Sequence, residues 1–224
     1  MAGKGRAGFF LELAIVTLVS ATALFLAASG VLPPSWKAGN WLVPVVFLYA
    51  PVVASLVRSR DLSGAGLEGT AWKRAGIDLA VYFIVILPVF FVGWRLLGPF
   101  GIHVKLDFRF PGNWPMLLLW HLLVVALPEE VFFRGWLQDR LDLLVGKKKK
   151  MLKAEIGFGL FISAFLFAGV HYILEPRPER LLVFFPALLF GYFRESSRSV
   201  LVPVMAHGAG NFLFLLFQVS ARTM

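Results

Sequence analysis

Glu129, Glu130, Arg134, His171, His207 and Asn211 interrupt stretches that are otherwise almost continuously apolar. They lie in Leu127-Pro-Glu-Glu-Val-Phe-Phe-Arg134, Phe167-Ala-Gly-Val-His171 and His207-Gly-Ala-Gly-Asn211. The apolar stretches dictate the class of fold. Of the 224 residues, 58% are hydrophobic, 16% are charged and 23 are Phe, a balance too apolar for a soluble domain of this size. Runs of about 18 or more apolar residues read as membrane-crossing helices, because a helix satisfies its backbone polar groups internally where lipid offers no partner. The expectation is an all-α protein, a polytopic transmembrane helical bundle of about seven spans. They fall at about 9–31, 41–57, 76–97, 115–138, 156–174, 181–193 and 200–219. The sixth is short, so it must tilt little, thin the bilayer or shelter behind its neighbours.

The first apolar run, Phe9 to Val31, follows Lys4 and Arg6 as a signal peptide would. It exceeds the ~7–15 residues of a signal core and reads as a retained span. Neither an internal repeat nor a linker is visible, so 1–224 reads as a single integral membrane domain. The net charge of +9 is carried by basic residues between the apolar runs. With the N-terminus in the cytoplasm, 14 of the 22 Lys and Arg fall on that side and 7 on the other, Arg134 being intramembrane. That bias follows the positive-inside rule and predicts an internal N-terminus. The basic residues thus read as topology signals and contacts to anionic lipids, with no nucleic acid as partner. The absence of cysteine excludes disulfides, thiolate metal sites and a cysteine nucleophile.

A charge near the bilayer centre costs ~2.5–3.5 kcal/mol on insertion scales, so such residues face a protein interior or a wet cavity and pair with each other. Residues four apart share a helix face, which places Glu130 against Arg134 as an ion pair, while Glu129 is turned about 100° away. Pro128 lacks an N–H and is expected to kink the helix and admit water beside the carboxylates. His207 and Asn211 share a second face, where Gly208 and Gly210 allow a helix or a substrate backbone to come close. Each group also has a plain structural reading. Glu130–Arg134 serves as a buried pair, His171 as a packing histidine, and His207–Asn211 as interhelical glue. Glu129 lacks such an excuse. His103 and His121 read as unremarkable. Ser163, Ser196, Ser197 and Ser199 stand in no GxSxG or SxxK context, and no HExxH occurs. A metal held by Glu129, His171 and His207 across helices stays open as an alternative; no metal or cofactor is expected.

Glu-Glu-x-x-x-Arg, Phe-x-x-x-His and His-x-x-x-Asn on separate apolar helices resemble the motifs of the CPBP family (CaaX protease and bacteriocin-processing), glutamate-dependent intramembrane endopeptidases. The resemblance covers 129 to 211 without substitution and puts a catalytic core at about 115–219. It implies that Glu129 and His171 hold and deprotonate a water, and that His207 and Asn211 donate to the oxyanion. It assigns Glu130 and Arg134 to support, with Arg134 alternatively meeting a substrate carboxylate. The implied substrate is a membrane-anchored protein or peptide, cut near its C-terminus. A compact, basic, cysteine-free chain fits a prokaryotic cytoplasmic membrane, so a C-terminal sorting signal or precursor peptide is favoured over a prenylated CaaX tail. Two rivals come from other classes: a non-catalytic bacteriocin-immunity or scaffold protein, and a proton-coupled transporter using Glu129 and the histidines as a relay. At ~1.5 Å per residue, His207 lies roughly 12 Å along its helix from Ser199 and His171 roughly 27 Å from Lys153. Those depths must converge for one site to form.

Overall fold

The computed structural model describes residues 3–29, 31, 41–59, 66, 70–97, 104–106, 110–146 and 148–223. Among these residues there are seven helices. They are α1 (Gly3–Ser29), α2 (Leu42–Ser59), α3 (Trp72–Val81, continuing through Tyr82–Ile86 to Leu87–Leu97), α4 (Trp114–Val145), α5 (Phe158–Leu174), α6 (Phe184–Ser197) and α7 (Leu201–Ser220). Four stretches are long and apolar enough to cross a membrane: Gly8–Ser29, Trp72–Gly93, Trp114–Val145 and Leu201–Ser220. Leu42–Arg58 and Phe158–Leu174 are shorter apolar helices. Large apolar side chains stand exposed along them, among them Leu18, Val57, Ile84, Val89 and Phe165. Water would not tolerate so much contiguous apolar surface, and lipid does. The chain is an all-α integral membrane bundle.

Polar contacts set the helix order. Glu12 near the start of α1 accepts from Arg58 near the end of α2 (2.9 Å) and from Arg140 near the end of α4 (2.8 Å). The Ala71 N–H before α3 donates to the Ser197 carbonyl closing α6 (2.9 Å). Arg74 donates to the Lys153 carbonyl just before α5 (2.6 Å). The starts of α1, α3, α5 and α7 therefore share one end of the bundle with the ends of α2, α4 and α6. At the opposite end, β1 (Val104–Leu106), after α3, pairs antiparallel with a strand over Ala221–Thr223, after α7. His103 lies outside the described residues.

α1 and α3 start earlier than the sequence reading, at Gly3 and Trp72, and three further boundaries differ for a local reason. α4 continues seven residues past the expected end at 138, because its polar tail finds partners. Arg140 meets Glu12, Asp139 meets Arg194 (3.1 Å), Gln138 meets Glu195 (3.1 Å), and Asp142 accepts from the Gly159 N–H (2.7 Å). The lysine-rich segment after α4 forms a hairpin, β2 (Lys148–Met151) on β3 (Ala154–Gly157). Burial would pull the Lys148 ammonium down, but Glu195 and Asp142 outweigh that and hold it above its ordinary range. The short sixth span gains a 3-10 turn, Pro178–Val183, ahead of α6. The hairpin also shortens the run to His171, since α5 starts at Phe158 rather than near Lys153.

Pro128 does not end its helix. The α-helical turn Leu127–Glu130 is flanked by π-helical stretches, Trp120–Ala126 and Val131–Leu137. A proline removes one backbone bond and clashes with the carbonyl four residues earlier, and wider i→i+5 turns absorb both. Beyond it the helix is buried on every side from Val131 to Gln138. Phe132 stacks on Phe47 of α2 (4.5 Å, 11°), Phe133 meets Phe167 of α5 edge-on (5.1 Å, 88°), and Trp136 donates to Glu12 (2.9 Å). α4 is therefore the central post of the bundle.

Candidate active site

The site is assembled on α4, whose α-helical turn Leu127–Glu130 presents two successive carboxylates to α7. Glu130 is wholly buried, and its Oε1 accepts from Arg134 Nη1 at 3.0 Å and from His207 Nδ1 at 2.8 Å. Local spacing predicts the arginine contact. The histidine contact joins residues 77 apart on different helices. A carboxylate only accepts, so His207 carries a proton on Nδ1 and turns Nε2 outward. Nε2 then faces Glu129 Oε2 at 3.8 Å, too long for a hydrogen bond. Glu129 Oε2 and Glu130 Oε2 are both buried and make no hydrogen bond among the described residues.

Arg134 is 1% exposed. Its guanidinium lies over the ring of Phe167 (4.3 Å to the centroid), with Phe190 at 5.7 Å and Phe133 at 5.9 Å, and it reaches the Ala187 carbonyl at 3.4 Å. A guanidinium is weakly hydrated and takes aromatic faces, which suits it to this position better than an ammonium. His207 is sandwiched in the same way, stacked on Phe190 (5.4 Å, 20°) and edge-on to Phe167 (6.0 Å, 77°).

Phe167 levels the helices. It touches Arg134, His207 and His171 (ring centroids 4.4 Å apart), so the depths of α5 and α7 converge one turn before His171. His171 Nδ1 lies 3.0 Å from the Phe167 carbonyl on its own helix. A carbonyl cannot donate, so in the neutral ring Nδ1 holds the proton and Nε2 is left with its lone pair. The structure thus brings Glu129, Glu130, Arg134 and His207 into one group by direct approach. His171 joins through Phe167. Asn211 is half-buried one turn beyond His207 and makes no hydrogen bond among the described residues.

The glycines of α7 explain how closely its neighbours approach. A methyl group at Gly208 would stand 2.9 Å from the Leu122 Cα and 3.1 Å from the His121 carbonyl. His121, read from sequence as unremarkable, therefore lies against the His207 segment, with its Nδ1 buried and unpaired among the described residues. A methyl group at Gly210 would meet the Tyr82 hydroxyl at 2.6 Å. Glu12 and Asp78 are further ionisable residues inside apolar helices, outside the three motifs. Glu12 is tied into the structure by Arg58, Arg140 and Trp136, whereas Asp78 Oδ2 is buried without a hydrogen bond among the described residues. The rule that flags Glu129, an ionisable residue in an apolar run, would have found them. The serines are occupied too: Ser163 donates to the Phe133 carbonyl (2.7 Å), and Ser197 to the Phe193 carbonyl (2.7 Å). An apolar groove of about 870 Å³ between α1 and α2, lined by Leu11, Ile15, Val53 and their neighbours, holds none of the motif residues.

Residues 111–213 match the family model described as Type II CAAX prenyl endopeptidase Rce1-like. The match starts just before α4 and ends within α7, so it takes in all six motif residues, and it bears out the CPBP resemblance read from three short motifs. No curated protein and no solved structure matches the chain. The matched family comprises CAAX-type intramembrane proteases, whose substrates are membrane-associated proteins or peptides.

Proposed function

We propose that this protein is a glutamate-dependent intramembrane endopeptidase that hydrolyses a peptide bond near the C-terminus of a membrane-held protein or peptide. The observation that carries the reading is Glu129. Every other charge in the group is matched: Glu130 by Arg134 and His207, and Arg134 by Glu130 and three aromatic rings. Glu129 is the carboxylate of the group that makes no hydrogen bond among the described residues, its Oε2 buried 3.8 Å from His207 Nε2. A carboxylate kept only for packing would be hydrogen-bonded, because a buried polar atom left without a hydrogen bond is costly.

In this mechanism Glu129 and the lone pair of His171 Nε2 together accept a proton from water. The water oxygen adds to the scissile carbonyl carbon as the carbonyl electron pair moves onto oxygen. His207 Nε2 and the Asn211 carboxamide donate to that oxyanion, a contribution of roughly 2.7–4 kcal/mol for one such donor. Because Nδ1–H is committed to Glu130, donation from Nε2 uses the imidazolium form, with the two carboxylates as counter-charges. Glu130 and Arg134 hold the ring in place and do not meet the water. The proton returns to the leaving amine as the tetrahedral intermediate collapses. None of these steps calls on a metal or an organic cofactor.

The proposed setting is a prokaryotic cytoplasmic membrane with the N-terminus inside and anionic lipids around the basic end, and the favoured substrates are C-terminal sorting signals and precursor peptides. The test uses purified protein in liposomes, offered membrane-anchored sorting-signal peptides, precursor peptides and a prenylated CaaX peptide in parallel. Cleavage near a C-terminus by the wild type and none by Glu129→Gln, with both proteins equally monodisperse, supports the proposal. Cleavage by Glu129→Gln at the wild-type rate refutes the glutamate mechanism. Preference for the prenylated peptide would move the substrate assignment without disturbing the chemistry.

A further inference from the structure

Tyr82 stands at the first position of the π-helical turn of α3, outside the segment matched to the family and outside every motif read from the sequence. Its ring is buried, 6% exposed, with Phe190 at 6.4 Å and Phe193 at 6.2 Å between centroids. Phe190 is also the ring on which His207 stacks, so Tyr82 and His207 pack on one shared side chain. The Tyr82 hydroxyl lies over Gly210, which falls between His207 and Asn211 in the chain; it makes no hydrogen bond among the described residues and keeps some exposure, since it is not one of the fully buried unpaired atoms. Residues three apart on a helix have Cβ atoms ~5–6 Å apart. The hydroxyl, 2.6 Å from the Cβ position of residue 210, therefore lies on the side of α7 where His207 is the neighbour one turn earlier. A buried tyrosine normally satisfies its O–H, and π-helical turns concentrate at functional sites.

We infer that Tyr82 is a further catalytic residue, its hydroxyl donating a hydrogen bond to the oxyanion alongside His207 and Asn211. The phenol keeps its proton throughout. The electron pair that leaves the carbonyl π bond settles on an oxygen that accepts from three donors, and it re-forms the carbonyl when the amine departs. Gly210 is glycine because the hydroxyl occupies the space of its missing side chain. The inference rests on the endopeptidase reading, and the experiment separates the two.

Tyr82→Phe keeps the ring and removes only the oxygen. In liposome-reconstituted protein its kcat should fall by ~10²–10³-fold, the loss seen when one oxyanion donor is removed, with KM and the thermal midpoint unchanged. Gly210→Ala should impair the wild type by pushing the hydroxyl aside. In the Tyr82→Phe background it should add nothing, because the next ring atom, Tyr82 Cζ, is 3.9 Å from the new methyl, an ordinary contact. A Tyr82→Phe enzyme with wild-type kcat overturns the inference. So does a parallel loss of thermal midpoint and kcat, which marks a packing role. Equal damage from Gly210→Ala in both backgrounds overturns it as well. Glu129→Gln run in the same assay tells the two readings apart. If that variant is inactive while Tyr82→Phe is normal, only the Tyr82 role falls; if Glu129→Gln is active, the endopeptidase mechanism falls and takes this role with it.

Discussion

Replacing Arg134 with methionine tests whether Glu130 is held in the membrane by charge pairing. Methionine keeps the length and most of the volume of the arginine stem, so little cavity forms and the effect isolates the guanidinium. In the native protein Glu130 is 0% exposed and Arg134 1% exposed, 3.0 Å apart. Arg134→Met leaves the carboxylate with His207 as its remaining partner among the described residues. Removing one member of a buried pair typically costs ~3–5 kcal/mol, because the other charge is stranded. Loss of the guanidinium over Phe167 belongs within that figure, since a desolvated cation–π contact is worth up to ~2 kcal/mol. The double variant Glu130→Gln with Arg134→Met removes both charges, and the glutamine oxygen can still accept from His207 Nδ1. Buried pairs replaced by neutral groups are often neutral in stability, so the double variant should recover most of the loss. The assay is reversible unfolding in mixed detergent micelles, run on wild type, both single variants and the double. An Arg134→Met protein as stable as wild type would show that the pair contributes nothing. A double variant no more stable than Arg134→Met would show that the cost is lost packing and not a stranded carboxylate.

The two histidines should separate by phenotype. His171→Gln should abolish cleavage without loss of stability, because its ring bonds only its own helix, whereas His207→Gln, which keeps a donor, should retain more activity and lose stability through Glu130; turnover and thermal midpoints measured side by side check the order. Gly208→Ala should lower both yield and activity, since its methyl meets the α4 backbone, and cross-linking yield between cysteines introduced on α4 and α7 would report the separation. Glu12→Ala should cost ~3 kcal/mol or more in the unfolding titration, because it strands the buried Arg140; paired loss of the Arg140 contact in Glu12→Ala with Arg140→Met should restore part of it. Cleavage should survive exhaustive chelation, with elemental analysis of the purified protein as the companion measurement; stoichiometric zinc and zinc-restored cleavage would make this a metalloprotease.

Composition settles the solvent. A chain that is 58% hydrophobic can satisfy its backbone in lipid only as helices or closed barrels, and the long apolar runs select helices. Spacing within one helix settles the Glu130–Arg134 pair, because i and i+4 are neighbours whatever the rest of the fold does. The three motifs identify the family segment for the same reason: each is complete within about one or two turns. Which helices meet is a different kind of information. The Glu130–His207 bond, the anchoring of Glu12 to Trp136 and Arg140, and the approach of the Tyr82 hydroxyl to Gly210 join residues far apart in the chain. In a soluble protein a polar stripe would reveal which face of each helix turns inward. In lipid both faces are apolar, and association depends on close packing around small residues and on a few polar contacts. Helix α1 carries almost no polar stripe to read, and α4 runs past its apolar stretch because distant partners await its charges. The sequence alone therefore determines the membrane class and singles out the three motifs that the family match takes in. The tertiary structure decides which nitrogen of His207 faces Glu130 and which carboxylate makes no hydrogen bond, because those follow from contacts between helices that no local period encodes.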